Sequence, residues 1–164
     1  DEDEIKQSLL AEGANPLTIS KNLAEIKSIK VSNKKPNRLV LGADSVISLN
    51  EELINKPSSR EEALKILKKL NNSKHYLISS ACISKNGSMI WNHTDSSELK
   101  MKNLTEEELS KYLSKIETKT LLAYGVYQIE ANGLELFEYV KGDKDSIMGL
   151  PVKEIMSYIE SYKK

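Results

Sequence analysis

Apolar positions along the chain recur at two spacings, and the places where the spacing switches mark the elements. Ile5, Leu9 and Leu10 predict a short helix that stops near Gly13. From Pro16 to about Val31 a longer helix is expected, with Ile19, Leu23, Ile26 and Ile29 or Lys30 at helical spacing. Residues 33–37, NKKPN, read as a loop. Arg38 to Val46 then reads as a buried strand by its β-branched content. The stretch LNEELINKP has the pattern of a hairpin turn and return ending at Pro57. Ser58 is placed to cap a helix over SREEALKILKKLNN, with Glu61 at the capping-box position and Ala63, Leu64, Ile66, Leu67 and Leu70 as its apolar stripe.

In the second half, two extended segments flank Asn86-Gly87, the strongest short-range hairpin signal. Thr105 with Glu108 forms another capping-box pattern before EEELSKYLSKI. Val126 to Ile129 and Leu134 to Val140 read as two further strands around an Asn132-Gly133 turn. Pro151 opens a last helix, because its fixed φ suits a first helical turn. Helices between hairpins predict an α/β protein with a largely antiparallel or mixed sheet.

Composition narrows the possibilities. At 164 residues the chain fits one domain, or one domain with two lobes. Its 24 basic residues balance 24 acidic ones, which gives no global field toward nucleic acid or an anionic membrane. One cysteine, Cys82, cannot form an internal disulfide and suits a reducing compartment. No apolar run reaches the ~18 residues that a membrane helix needs, so a cytoplasmic protein without membrane or nucleic-acid partners is expected.

Walker loops, Gly-x-Gly-x-x-Gly motifs and zinc-ligand spacings are absent from the sequence. What remains is a carboxylate in an apolar run, LVLGADSVI. An ionised Asp44 in a dry core costs several kcal/mol unless something compensates it. Either it closes a local turn at a strand end, or a cation or partner waits for it. Lys56 precedes Pro57, which forces it extended and projects it from the hairpin end. Lys27 sits near the apolar stripe of its helix, where lysines ordinarily snorkel. Glu2 belongs to an acidic run of the kind that is usually solvated.

Five stretches taken together say more: GADSVI, NKP, REEALKILKKLNNSKH, YGVYQIEANG and GDKDSIMGLP. In this order and spacing they resemble the Maf family of nucleoside triphosphate pyrophosphatases over essentially the whole chain, 1–164, as a single domain. The resemblance implies a Maf or inosine-triphosphatase type of α/β fold, with a mixed, elongated sheet flanked by helices and two lobes around a cleft. By position, the family's catalytic aspartate falls on Asp44, with Ser45 where Thr is common. The lysine before proline falls on Lys56, and the lysine of a Leu-Ala-x-x-Lys helix falls on Lys27. The acidic residue of an Asp-Glu pair falls on Glu2. A late-strand position that is Gln in one branch falls on Glu130, which is similar to the branch associated with 7-methyl-GTP.

The implied activity is hydrolysis of a nucleoside triphosphate, including modified ones, to the monophosphate and pyrophosphate. A divalent cation, Mg²⁺ or Mn²⁺, is implied on Asp44 and Glu2, with Lys27 and Lys56 on the phosphates. Homodimers are usual in the family. Family members also carry a front strand and a Ser-x-x-x-Arg-Arg loop before the Asp-Glu pair, and nothing in this chain matches them. The N-terminal strand and loop are therefore expected to be missing. That departure keeps an alternative open: a catalytically impaired nucleotide-binding or regulatory module.

Overall fold

A computed structural model describes residues 1–129 and 131–164. Their elements run α1 (Glu2–Ala11), α2 (Pro16–Ser32), β1 (Val40–Leu49), β2 (Glu52–Ile54), α3 (Arg60–Leu70), β3 (Lys74–Lys85) and β4 (Ser88–Met101). They continue with α4 (Glu106–Ser114), α5 (Thr118–Tyr124), a 3-10 turn (Gly133–Leu136), β5 (Phe137–Lys141), α6 (Lys144–Ile147) and α7 (Val152–Lys163). The fold is α/β, as expected, with a sheet of strand order β2-β1-β3-β4-β5 among the described residues. β1 pairs antiparallel with β2, and β4 with β5. Asn86 and Gly87, with φ of 50° and 82°, close the tight β3–β4 turn that the sequence called for.

The residues group into two units. Unit 1 comprises Asp1–Val46, Leu77–Ser97 and Gly142–Lys164. Within it, α2 buries Ser20, Ala24, Ser28 and Ser32, a spine of small residues at four-residue intervals, beside Ile19 and Leu23. Ile26, expected in the apolar stripe, is 39% exposed. The reason is geometric: small side chains let the helix lie close to β1, so the packed face follows the small residues instead of the large ones. A second core of Ala81, Ile83 and Ile155 collects Leu39, Trp91 and Tyr158, with Trp91 stacked on Tyr158 at 5.2 Å between ring centres. The last helix begins as expected, except that Pro151 is its cap and Val152 its first residue.

Unit 2 comprises Ile47–Tyr76 and Glu98–Lys141. Its core joins Ala63, Leu67 and Leu70 of α3 to Leu109, Tyr112 and Leu113 of α4 and Leu121 of α5. The Thr105–Glu108 capping box is fully formed. The cap of α3 is Ser59, whose Oγ accepts from the Glu62 amide at 3.1 Å, and not Ser58. Both registers satisfy the S-x-x-E pattern; Ser58 instead donates to the Glu62 carboxylate.

Val126 to Ile129 does not form the expected strand, and β5 begins only at Phe137. Local closure takes its place. The Gln128 carbonyl accepts from the amides of Ala131 (3.2 Å) and Gly133 (2.9 Å). Val126, Tyr127 and Ile129 are spent on core filling, which explains why an apolar run looked like a strand. Tyr127 reaches His75 Nε2 at 2.9 Å within this core.

Candidate active site

β1 does not end at Asp44. It continues to Leu49, so the carboxylate sits in mid-strand, and the residue is only 8% exposed. Gly42 decides what can approach it. A Cβ at that position would lie 2.4 Å from the Ala24 carbonyl oxygen and 2.6 Å from the Ser28 amide nitrogen, so only glycine lets α2 pass this close. Ser20 Oγ then donates to the Asp44 carbonyl at 3.0 Å, and the Ser28 and Ser84 hydroxyls share a hydrogen bond of 2.7 Å. These contacts pin helix to strand on the face that carries Asp44.

On the same helix, Lys27 Nζ donates to Asp44 Oδ1 at 2.9 Å. The same ammonium lies 3.4 Å from Glu2 Oε1, and Lys6 Nζ lies 3.9 Å from that oxygen. Glu2 is presented by the first turn of α1, whose cap Asp1 accepts from the Asp3 amide at 3.2 Å. The C-terminal end of α1 closes through Gly13, at φ 83°, with Ala14 N donating to the Leu9 carbonyl at 3.0 Å. Of the five residues singled out from sequence, Glu2, Lys27 and Asp44 are thus brought together. Lys6, not singled out, joins them; its signal was its place four residues after Glu2 on a helix.

Burial raises the Asp44 carboxyl above the ordinary aspartate range. The bond and charge of Lys27 work in the other direction without cancelling it, and Lys6 adds a smaller downward pull. For Lys27, burial favours the neutral amine, but the bond to Asp44 and the charges of Asp44 and Glu2 outweigh it and hold the ammonium above its usual value. Asp44 Oδ2 has no hydrogen-bond partner among the described residues. A buried carboxylate oxygen without a partner is costly, and a ligand that supplies positive charge or a proton would compensate it. Among the described residues no group of three or more His, Cys, Asp or Glu could hold a metal by itself. A cation here would draw on two carboxylates at most and take its remaining ligands from substrate and water, as Mg²⁺ commonly does.

Ser45, adjacent in sequence, is not part of this cluster. Its hydroxyl meets Ser79 Oγ at 3.1 Å, and Ser79 donates to the Ser146 carbonyl at 2.7 Å. Successive strand residues point to opposite faces, which separates Ser45 from its catalytic-looking neighbour. Lys56 belongs to unit 2, exposed, just before buried Pro57. Glu130 lies outside the described residues. Gln128, Ala131 and Asn132 line a cavity of about 230 Å³ within unit 2, with Tyr112, Lys115 and Tyr127.

Comparison with known proteins decides the family. The model of the family described as "Maf-like protein" matches residues 1–162. The chain belongs to the Maf family. A "Nucleoside triphosphate pyrophosphatase" of Pelagibacter ubique is 57% identical over 163 residues, covering 99% of this chain and 84% of the relative. A protein with the same description from Ruegeria pomeroyi is 37% identical over 159 residues, covering 97% of this chain and 80% of the relative. A "7-methyl-GTP pyrophosphatase" of Brucella abortus is 32% identical over 163 residues, covering 99% of this chain and 82% of the relative. As a Maf member the chain carries, among its described residues, no helix long and apolar enough to cross a membrane.

Proposed function

We propose that this Maf-family chain, 1–164 forming one domain, hydrolyses a nucleoside triphosphate to the monophosphate and pyrophosphate, with Asp44 and Glu2 as its catalytic carboxylates. The observation that carries the reading is the Asp44–Lys27–Glu2 cluster, with a buried Asp44 oxygen that has no hydrogen-bond partner among the described residues. The Maf match and the descriptions of the relatives support the substrate class.

Chemically, Asp44 is suited to accept a proton from the attacking water. With no cation bound, burial keeps its carboxyl less acidic than an ordinary aspartate. Lys27 holds it in place and offers positive charge to the phosphates as negative charge develops on the leaving pyrophosphate. Lys56, exposed in unit 2, is assigned to the phosphates as well. Asp44 Oδ2 and the Glu2 carboxylate would hold Mg²⁺ or Mn²⁺. A cation held there would supply Lewis acidity to the phosphate and to the attacking water. Glu130 is assigned to the base, because a carboxylate accepts hydrogen bonds from base N–H groups and repels phosphate oxygens. We assign the protein to the cytoplasm, as a homodimer.

The test is product identity. Incubation with canonical and 7-methylated nucleoside triphosphates at saturating Mg²⁺, followed by anion-exchange chromatography, should yield monophosphate and pyrophosphate in equal amounts. Diphosphate with orthophosphate would mean attack at the terminal phosphate, and this assignment would fall.

A further inference from the structure

We propose that Lys6 is a substrate-binding residue of the Asp44 site: a second ammonium that contacts the phosphates of the triphosphate beside Lys27. The inference rests on the function proposed above. A lysine four residues after a glutamate on a surface helix ordinarily forms a loose, solvated pair that serves helix stability only. Lys6 departs from that pattern in two ways. Its side chain is only 15% exposed, although α1 buries none of its residues fully. Its charge also reaches Asp44, a residue of β1, and pulls that carboxyl slightly downward.

The four side chains alternate in sign. Asp44 Oδ1 is 2.9 Å from Lys27, Lys27 is 3.4 Å from Glu2 Oε1, and the same Glu2 oxygen is 3.9 Å from Lys6. With Lys6 included these four side chains carry no net formal charge; without it they carry one negative charge. The Lys6–Glu2 separation is an ion-pair distance, too long for a hydrogen bond. Lys6 can therefore turn to a phosphate oxygen without giving up a directed bond to Glu2. An ammonium on a flexible stem is a common point-charge ligand for phosphate.

The test compares wild type with Lys6→Met, Lys6→Gln and Lys6→Arg in the full chain. Calorimetry gives the Kd of an α,β-methylene nucleoside triphosphate, which cannot be cleaved at the α-phosphate, and steady-state pyrophosphate release gives KM and kcat. Loss of the charge in Lys6→Met and Lys6→Gln should weaken binding and raise KM by about tenfold at low salt. The effect should shrink at ~0.5 M salt, with kcat changed less than about threefold. Lys6→Arg should stay within about threefold of wild type, since it keeps the charge. Binding by Lys6→Met and Lys6→Gln within twofold of wild type, or a loss confined to kcat, would overturn the assignment. A wild type that binds the analogue but releases no pyrophosphate would refute the proposed reaction while the binding data still judge Lys6. A wild type that binds no analogue would overturn both.

Discussion

Replacing Gly42 with alanine tests whether the close approach of α2 to β1 builds the site. The added Cβ would lie 2.4 Å from the Ala24 carbonyl oxygen, where ordinary contact begins at 3.4 Å, so helix and strand must separate by about 1 Å. The obstructing atom is backbone, which has no rotamer to escape through. Overpacking of this kind costs ~1–3 kcal/mol. The short Ser20 side chain cannot follow the retreating strand, so its 3.0 Å bond to the Asp44 carbonyl weakens as well. Losing that bond adds about 1 kcal/mol. Together the loss is about 2–4 kcal/mol, which lowers Tm by ~4–16 °C in a chain of this size. Activity should fall further than the folded fraction, because a displacement of this size at a catalytic group can cost up to ~10²-fold in rate. Thermal melts by circular dichroism and pyrophosphate release at a temperature well below both midpoints measure the two effects. Adding Ser28→Gly should not restore stability, since the nearest obstacle is the Ala24 backbone. A Gly42→Ala protein that melts within about 2 °C of wild type with full activity would refute the packing argument, given the expected cost of overpacking.

Three more outcomes follow from the titrating groups and the base assignment. Burial holds the His75 imidazole down at about 4 against an ordinary 6.5. The unfolded chain therefore binds the proton first, and stability present above pH 6.5 is lost as pH falls toward 4, by about 3 kcal/mol in urea titrations. His75→Leu combined with Tyr127→Phe should flatten that slope; an unchanged slope would exclude His75 as its source. Lys27 lowers the Asp44 pKa, so Lys27→Met should move the acid limb of kcat/KM to higher pH, whereas a limb that stays put would detach Lys27 from the titrating group. Glu130→Gln should change the order of preference between canonical and 7-methylated substrates, and an unaltered order across the panel would remove Glu130 from base recognition.

Much of this was legible where a motif dictates one backbone conformation. Asn86-Gly87 and the Thr105–Glu108 box acted locally and folded as read. The Ser58 cap slipped by one residue because Ser59 fits the same pattern. Patterns of large apolar residues misled where packing uses small ones: the Ser20–Ala24–Ser28–Ser32 spine carries little hydrophobic signal, yet it sets which face of α2 is buried. Val126 to Ile129 fills a core without joining a ladder, a distinction that periodicity cannot make. Family resemblance points to Asp44, Lys27 and Glu2, but the meeting of Lys27 with Asp44 depends on Gly42, whose role lies in a contact with a distant helix. Lys6 was passed over because a Glu–Lys pair at i,i+4 is the ordinary dress of a surface helix.

The central claim is that the buried carboxylate of Asp44 does chemistry, and Asp44→Asn tests it most directly. The substitution keeps the size of the side chain and its capacity to accept from Lys27, but removes the charge and the proton acceptor. Pyrophosphate release from a nucleoside triphosphate at saturating Mg²⁺ should fall by ~10²-fold or more. The melting temperature should be unchanged or higher, since burial disfavours the Asp44 charge by more than Lys27 compensates it. Near-normal turnover, or a loss that simply tracks a lowered melting temperature, would make Asp44 a structural residue and contradict the account.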